Sequence, residues 1–431
     1  MPRINPFRPN SPVGPGMFAG RLPQVNALEE ALHQTRTGRP KGFMITGERG
    51  IGKTSLLQYF KWVAQGDIPI DEERLKFLVV DLDIDVTSTD LGLIRRVEAG
   101  LRRELAKSEP ARSFLKNGWE FLQHLEAFGV SLRDRETVAD SETLHDEFAY
   151  SLATTTNRIV EADASSVFGS RYDGVILLFD EADNASQAFR LGAFLKLLSE
   201  RVQRNGCGRL MIGLAGMPRL RDVLREGHAS SLRIFDELPL DVLSQEEVSS
   251  VLDFALREAN ETNAEKTTIG AAARGALISL SEGYPHFIQQ FGYSAFARDS
   301  DLVIDIEDVR EGAFGPLGAM EKIGDRYYRD DFYNKIQKDS YRQVLRIMAD
   351  SENQWVSKKD IRAAFRGKAT ILDNAIHALR NRKIILAKEG ERGMYRLQHR
   401  GFAFWIRLYT TDPRDLQSQI EAVTTNSETA T

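Results

Sequence analysis

The sequence predicts three consecutive parts: an α/β domain with a doubly wound parallel sheet, a helical domain, and a C-terminal winged helix-turn-helix. Apolar runs typical of buried strands alternate with helical patterns up to about residue 241, which favours a parallel sheet covered on both faces. Beyond that residue the helical periodicity continues without strand patterns. Near the end, three helical patterns precede a strand, a glycine-bearing turn and a second strand. The 431 residues suffice for two or three domains with separate cores.

Shifts in composition set the expected boundaries of these parts. We expect an irregular N-terminal arm, the α/β domain with a polar helical insertion, the helical domain with its connector, the winged helix, and a disordered tail. The expected ranges are 1–17, 18–241 with the insertion at about 88–167, 242–330, 331–412 and 413–431.

The elements of the α/β domain follow from periodicity. Apolar residues at helical spacing predict a helix over about 22–36, with one face formed by Leu22, Val25, Leu28 and Leu32. The run "GFMITG" predicts the first strand, and "TSLLQYFKWVA" predicts the helix that follows it. Four more strands are predicted in "LKFLVVDLDI", "DGVILLFDEAD", "RLMIGLAGMP" and "FDELPL".

Composition excludes several classes of protein. No apolar run approaches the ~18 residues needed to span a bilayer, and the N-terminus lacks the apolar core of a signal peptide. Cys207 is the one cysteine, which rules out an intramolecular disulfide framework and a thiolate-rich zinc site. We therefore expect a cytoplasmic protein with no membrane partner.

Charge is distributed unevenly along the chain. The net charge is −5, yet residues 340–410 hold fifteen Lys and Arg against six acidic residues. This segment therefore carries +9 and the remainder −14. A compact basic module on an acidic body is typical of polyanion binding.

A glycine-rich stretch, "GERGIGKT", lies between the first strand and the next helix. It matches the pattern G-x-x-x-x-G-K-[ST], in which glycines let backbone N–H groups converge on phosphates at the positive end of a helix. In this pattern Lys53 neutralises the β- and γ-phosphates, and Thr54 binds Mg²⁺. The expected nucleotide contacts are Gly47, Glu48, Arg49, Gly50, Ile51, Gly52, Lys53, Thr54 and Ser55.

Two adjacent acids end the strand in "DGVILLFDEAD". The strand delivers Asp180 to the Mg²⁺ shell, and Glu181 can polarise an attacking water. Two acids at a strand end are common by themselves, but beside the glycine-rich stretch they predict ATP hydrolysis. Water activation favours an NTPase over a kinase that acts on a small molecule.

Together these motifs resemble those of the AAA+ and STAND ATPases, and within them the origin-recognition initiators and archaeal-type relatives, over about residues 14–410. The resemblance implies a P-loop domain of the ASCE type, a helical lid and a winged helix, with ATP and Mg²⁺ bound between core and lid. "MFAGR" resembles the box that holds the adenine base, which implies this role for Phe18, Gly20 and Arg21.

The resemblance also implies residues that sense the γ-phosphate. An arginine finger is expected in or before "ASSLRIF", with Arg233 preferred and Arg225 second. We expect Arg233 on the nucleotide side of the sheet, acting on a neighbouring protomer of a nucleotide-dependent homo-oligomer; the alternative is local pairing with Asp236 or Glu237. "EGYPHF" corresponds to the second sensor, which implies nucleotide contacts by Pro285 and His286.

The chain departs from the family pattern in two places. "MIGLAGMP" lacks the Asn, Ser or Thr that normally ends the fourth strand and orients the water, so we expect slow hydrolysis. His286 stands where the family normally has Arg, and its Gly-x-Pro context is closer to STAND switches.

The basic segment is expected to contact DNA through its third helix and its hairpin. The predicted DNA contacts are Lys368, Thr370, Asn374, His377, Arg380, Lys388, Arg392 and Arg396. The alternative is a protein-interaction module of the kind found in many STAND proteins.

Three functions follow from these expectations. The first is a slow ATPase whose nucleotide state controls assembly or DNA engagement, in initiation, transposition or mobile-element defence. The second is a STAND-type signalling switch that recruits a protein effector without DNA. The third, an ATP-driven remodeller, is disfavoured by the missing polar residue at the end of the fourth strand.

Overall fold

The computed structural model describes residues 3–11, 14, 20–122, 138–351, 355–382, 384–388 and 390–410. The chain forms two compact units. One comprises Ser11–Val242, and the other combines Met1–Asn10 with Leu243–Thr431.

The first unit is built on the predicted five-stranded parallel sheet. Its strand order is β2-β3-β4-β1-β5. Every residue of β3 and β4 is buried, as expected for central strands covered on both faces. The strands are β1 (Gly42–Gly47), β2 (Phe77–Asp83), β3 (Gly174–Asp180), β4 (Leu210–Gly216) and β5 (Phe235–Leu240).

Register places the ends of the central strands side by side. Gly47 at the end of β1 is level with Leu240 at the end of β5, and Thr46 is level with Gly216 at the end of β4. The chain segments that leave β1, β3 and β4 therefore meet at the carboxyl edge of the sheet. Ligands of open parallel sheets bind at this edge.

Eight helices of the described residues flank the sheet. The first confirms the helix predicted over 22–36, although Leu22, at its start, is 67% exposed and does not join the buried face. The helices are α1 (Leu22–Arg36), α2 (Lys53–Gln65), α3 (Asp90–Leu105), α4 (Glu109–Gly118), α5 (Val138–Ile159), α6 (Ala164–Phe168), α7 (Leu191–Arg204) and α8 (Leu220–Gly227).

The segment expected as a polar insertion contributes to the core of this unit. Helix α3 packs on β2, and Gly100 approaches it so closely that a Cβ there would lie 2.7 Å from Val80 Cγ1. Trp119 and Phe148 are buried in the same cluster as residues of the sheet. Residues 123–137 of the expected insertion lie outside the described residues.

The second unit begins with helices and includes the N-terminal residues. Ser244 caps the first helix reciprocally with Glu247, the arrangement that the pattern Ser-x-x-Glu at a helix start predicts. Phe7 is buried, and a Cβ on Gly292 would collide with its ring. The elements are α9 (Gln245–Thr262), β6 (Thr268–Ile269), α10 (Ala271–Ser281), α11 (Pro285–Arg298), β7 (Val303–Ile304), α12 (Ile306–Phe314) and α13 (Ala319–Ile323).

The basic segment contains the predicted succession of three helices and a hairpin. A short strand before the second helix adds to the hairpin, giving the sheet order β8-β10-β9. The buried face of the third helix excludes Ile371, which is 40% exposed. The elements are α14 (Asp339–Asp350), β8 (Val356–Ser357), α15 (Lys358–Ala364), α16 (Ala369–Asn381), β9 (Ile385–Ala387), β10 (Met394–Leu397) and α17 (Arg400–Tyr409).

Aromatic packing joins the connector to the last helix. The connector forms two π-helical turns, Gly324–Tyr328 and Asp331–Lys335. Trp405 of α17 is buried against Phe332, with ring centroids 5.8 Å apart, and a Cβ on Gly324 would collide with its indole. No helix within the described ranges is long and apolar enough to cross a membrane.

Candidate functional site

The glycine-rich stretch forms a loop between β1 and α2. Gly50 and Gly52 adopt positive φ angles of 78° and 99°, which glycine tolerates best. A Cβ on Gly47 would lie 2.7 Å from Ile51 Cγ2. The predicted strand, loop and helix are therefore present, and the loop opens directly onto the N-terminus of α2.

Lys53, the first residue of α2, folds over this loop. Its ammonium donates to the carbonyl oxygens of Gly47, at 2.9 Å, and Glu48, at 3.0 Å. Burial lowers the pKa of Lys53, and the nearby carboxylates, Asp180 foremost, oppose that shift. A mostly buried cation on a loop of backbone N–H groups is suited to a polyphosphate.

Thr54 lies against the acid predicted to share its metal. Its hydroxyl donates to Asp180 Oδ2 at 3.0 Å, while Asp180 Oδ1 accepts from the Glu181 N–H at 2.8 Å. Burial raises the pKa of Asp180, and these hydrogen bonds and Lys53 partly offset the rise. The two hard oxygen donors fit Mg²⁺, which typically takes one or two protein oxygens and completes its shell with phosphate and water.

Glu181 follows in a strained conformation. Its φ of 52° lies in the left-handed region, which costs a non-glycine residue about 1–3 kcal/mol and is frequent at functional sites. Burial raises its pKa, and the charges of Asp180, Asp83 and Asp183 add to that rise. Asp83 pairs in register with Asp180 from the neighbouring strand, so three strand-end carboxylates gather here.

Three further residues of this edge were not predicted. Asp183 accepts from the Met217 N–H at 2.9 Å and from Arg219 Nε at 2.7 Å. Arg219 also donates to Asn184 Oδ1 at 2.7 Å, and Asn184 Nδ2 in turn donates to Glu181 Oε2 at 3.3 Å. This chain of bonds ties the loop after β3 to the loop after β4. In the sequence, only Asp183, as the third acid of "DEAD", indicates this chain of hydrogen bonds.

The end of β4 lacks an Asn, Ser or Thr, as the sequence predicts. Gly216 and Met217 occupy it, and Met217 Sδ lies 4.0 Å from Lys53 Nζ. A side-chain amide nevertheless reaches this edge from the β3 side, because Asn184 is oriented by Arg219 toward Glu181.

The expectation that Arg233 lies on the nucleotide side of the sheet is wrong. Arg233 is exposed in a 3-10 turn, Ser231–Ile234, and β5 starts immediately after this turn. Since Phe235 pairs in register with Gly42, this turn lies at the amino edge, about 16 Å of strand away from Gly47.

The alternative of local pairing for Arg233 is not observed either. Asp236 pairs with Lys41 at 2.5 Å, and Glu237 pairs with Arg221 at 3.1 Å. Within the described part of the chain Arg233 has no ion-pair partner. Arg225, the second choice, lies 3.5 Å from Asp222.

The predicted adenine contacts are only partly described. Phe18 lies outside the described residues. Gly20 and Arg21 have positive φ angles of 74° and 65°. Arg21 is buried and donates to the Ile51 carbonyl at 3.1 Å, so it reaches the backbone of the glycine-rich loop.

Pro285 and His286 begin α11 in the second unit. Pro285 occupies the first turn, where proline is favoured. Arg326 donates to His286 Nε2 at 2.7 Å and also to Asn10 Oδ1 at 2.9 Å. A guanidinium from the connector thus accompanies the histidine, a pairing that 40 residues of separation hid from the sequence.

Six of the eight predicted DNA-contact residues are exposed. On α16 and at its N-cap the five predicted side chains are all exposed. His377 forms a hydrogen bond of 3.0 Å with Asn381. Arg392 is exposed, while Lys388 and Arg396 are partly buried beside Trp355. The predicted residues there are Lys368, Thr370, Asn374, His377 and Arg380.

Comparison with known proteins agrees with this geometry. Residues 17–212 match the model of the AAA ATPase domain. The fold is the AAA+ P-loop fold. No curated protein is matched by the sequence.

Three solved structures are similar to this chain at 11–14% sequence identity. The Aeropyrum pernix ORC2 protein with ADPNP and ADP is 14% identical, with 90% of this chain and 94% of that chain covered and a TM-score of 0.50. Cdc6p from Pyrobaculum aerophilum is 11% identical, with 94% and 96% covered and a TM-score of 0.40. The Thermotoga maritima RuvB branch migration motor is 12% identical, with 88% and 93% covered and a TM-score of 0.41.

Proposed function

We propose that the AAA domain binds ATP with Mg²⁺ and hydrolyses it slowly. The observation that carries the proposal is the 3.0 Å hydrogen bond between Thr54 and Asp180, beside the glycine-rich loop and Lys53. Mg²⁺, when bound there, neutralises charge on the phosphate oxygens. The fold supports the proposal, since the Aeropyrum pernix ORC2 protein is described with ADPNP and ADP.

The chain's own residues have distinct roles in this proposal. The backbone over 47–55 holds the phosphates, and Lys53 exchanges its two carbonyl acceptors for phosphate oxygens. Glu181 takes a proton from the attacking water. Its raised pKa makes it a stronger base than an exposed carboxylate.

Slow turnover follows from what surrounds the water-activating residue. Gly216 and Met217 offer no side-chain hydrogen bond at the end of β4. Asn184 Nδ2 donates to Glu181 Oε2 at 3.3 Å, so one acceptor site of this carboxylate is already used before water binds.

Glu181→Gln tests the catalytic assignment. The amide preserves the size of the side chain but cannot accept the proton, so ATP should still bind while turnover falls by about 10²-fold or more. Glu265→Gln, at an exposed site of the other unit, is the control and should leave turnover unchanged. Equal turnover in Glu181→Gln and the parent would place the base elsewhere.

Assembly completes the catalytic site in this proposal. Arg233 lies at the amino edge of its own sheet, so it reaches a γ-phosphate only in trans, on a neighbouring protomer. We propose that it acts there in a nucleotide-dependent homo-oligomer, since it is exposed and has no ion-pair partner among the residues that the structure describes.

Mixing two inactive variants tests the trans arrangement. Arg233→Ala retains the phosphate loop, and Lys53→Ala retains the arginine, so a mixture should recover part of the activity if the arginine acts in trans. Parent activity should rise with protein concentration. A mixture of folded variants that stays inactive would favour a monomeric switch.

The basic segment is proposed as a winged helix that binds DNA. Its excess charge of +9 and the exposure of one whole face of α16 support backbone contacts. Trp355 adds a partly exposed aromatic surface, with Lys388 Nζ 5.9 Å and the Arg396 guanidinium carbon 5.4 Å from its ring centroid. Cations beside an aromatic ring suit both phosphates and sugar or base faces.

The salt dependence of DNA affinity tests this contact. Changing Lys388, Arg392 and Arg396 to Ala should flatten the slope of log affinity against log salt by up to about 2.7, since each phosphate contact contributes about −0.9. The control changes three exposed cations of the other unit, Arg103, Lys107 and Lys116, to Ala. No binding of duplex DNA by the parent at low salt, with or without ATP, would overturn the proposal.

A second candidate function is a STAND-type switch whose winged helix contacts a protein effector. The observation that favours it is Ile371, an apolar side chain 40% exposed on α16. Part of the wing charge is also neutralised locally, because Lys388 pairs with Glu391 at 2.7 Å. The DNA titration separates the two, since this function predicts no DNA binding in any nucleotide state.

A further inference from the structure

A cavity of about 450 Å³ opens at the amino edge of the parallel sheet. Its lining comes from the end of α1 and from the segments that lead into β3 and β4. This edge is opposite the glycine-rich loop, so the cavity is separate from the proposed ATP site. The lining residues are His33, Arg36, Thr37, Arg171, Tyr172, Asp173 and Arg209.

The lining is cationic. It contains three arginines and one carboxylate. Arg36 and Asp173 are committed to local partners: Arg36 pairs with Glu73 at 2.6 Å and with Asp173 at 3.3 Å. Asp173 also accepts from the Lys76 N–H at 2.7 Å. The one carboxylate of the cavity lining is thus already paired with Arg36 and Lys76.

The other two arginines of the cavity form no ion pair within the described ranges. Arg171 Nε donates to the Val160 carbonyl at 2.9 Å. This hydrogen bond orients the guanidinium and leaves its two terminal nitrogens for a ligand. Arg209, partly buried before β4, makes no side-chain hydrogen bond or ion pair to any residue that the structure describes. A partly buried, unneutralised guanidinium is costly unless an anion or water satisfies it.

We propose that this cavity is a second ligand site, which binds a small molecule carrying a phosphate monoester. The guanidinium groups of Arg171 and Arg209 match a phosphate in charge and in fork geometry. Tyr172 lines the same space with a partly exposed ring, which gives a nucleoside a surface on which to stack. The volume lies within the range of small-molecule sites, about 300–1,000 Å³.

The test is a calorimetric titration of the full chain with AMP and, separately, with inorganic phosphate. It uses both the parent and Lys53→Ala. In the variant the glycine-rich loop does not contribute to binding. Both proteins should bind one AMP with the same affinity. The double change Arg171→Ala and Arg209→Ala should weaken binding by about tenfold or more, the scale of a charged hydrogen bond.

The control and the outcomes separate this site from the ATP site. Arg39→Ala removes an exposed arginine near the cavity and should leave the affinity unchanged. If AMP binds more tightly than phosphate and Tyr172→Leu abolishes this difference, the ligand is a nucleotide. If the two affinities are equal, the ligand is phosphate itself. Both results support the site. Absence of binding in folded Lys53→Ala, or unchanged affinity in the double arginine variant, overturns it whether or not the protein is an ATPase.

Discussion

Asp183→Asn should destabilise the AAA domain more than the loss of its charged partner, Arg219→Ala. The Asp183 carboxylate is 5% exposed and receives two donors, the Met217 N–H and Arg219 Nε. An aspartate accepts both. An asparagine has one accepting oxygen and must direct its own N–H toward the other donor.

The two magnitudes differ because the two partners differ in exposure. The Arg219 side chain is 61% exposed, so water screens the ion pair and its removal should cost only about 0.5–1 kcal/mol. Asp183→Asn places an N–H donor, at a side chain only 5% exposed, against another donor, and an unsatisfied buried polar group costs about 1–3 kcal/mol. With the weakened pair included, we expect about 2–3 kcal/mol for Asp183→Asn.

Urea unfolding followed by tryptophan emission measures these free energies. In a background with Trp355→Phe and Trp405→Phe, the remaining tryptophans, Trp62 and Trp119, report on the unit Ser11–Val242 alone. The matched control is a change of the exposed, weakly paired carboxylate on α8, Asp222→Asn, which should cost less than about 0.5 kcal/mol.

Non-additivity decides whether the mechanism is right. In an Arg219→Ala background the introduced amide can turn its oxygen to the Met217 N–H and its own N–H to water, so Asp183→Asn should then cost about 1 kcal/mol or less. Equal costs in both backgrounds, or Asp183→Asn no worse than Arg219→Ala, would refute the two-donor explanation.

Three further predictions concern strain and titration. Glu181→Gly relieves the left-handed φ of 52° and should raise the free energy of unfolding by up to about 1 kcal/mol in urea while turnover is lost. Asp83→Asn removes a charge that raises the pKa of Glu181, so the acid limb of the turnover–pH profile should move to lower pH. Burial of His399 lowers its pKa from 6.5 to about 4, so the unfolded state binds its proton first. Stability of the second unit, followed by Trp405 emission, should fall by up to about 3 kcal/mol between pH 6.5 and 4, and His399→Gln should remove that slope.

Much of the AAA domain could be predicted because its signals are local. The strands are continuous apolar runs with polar exits, and β3 and β4 are buried over their full length. The loop from Gly47 to Thr54 has a fixed spacing, and parallel strands bring it next to Asp180 without further information. The capping box of Ser244 is likewise complete within four residues.

What could not be predicted depends on contacts between distant segments. Asn184 reaches Glu181 in an orientation set by Arg219, which lies 35 residues further along the chain. The side of the sheet on which Arg233 lies follows from the register of β5 with β1, which no local pattern reveals. The pairing of Arg326 with His286 requires the connector to fold back on α11.

The central claim, that the loop after β1 binds ATP, is tested most directly by titrating fluorescent ATP with Mg²⁺ into the parent and Lys53→Ala. Lys53 places a mostly buried ammonium over the loop, so its loss should abolish binding in a folded protein. Lys61→Ala, which removes a cation from the same helix, should bind as the parent does. Unchanged affinity in Lys53→Ala would contradict the account.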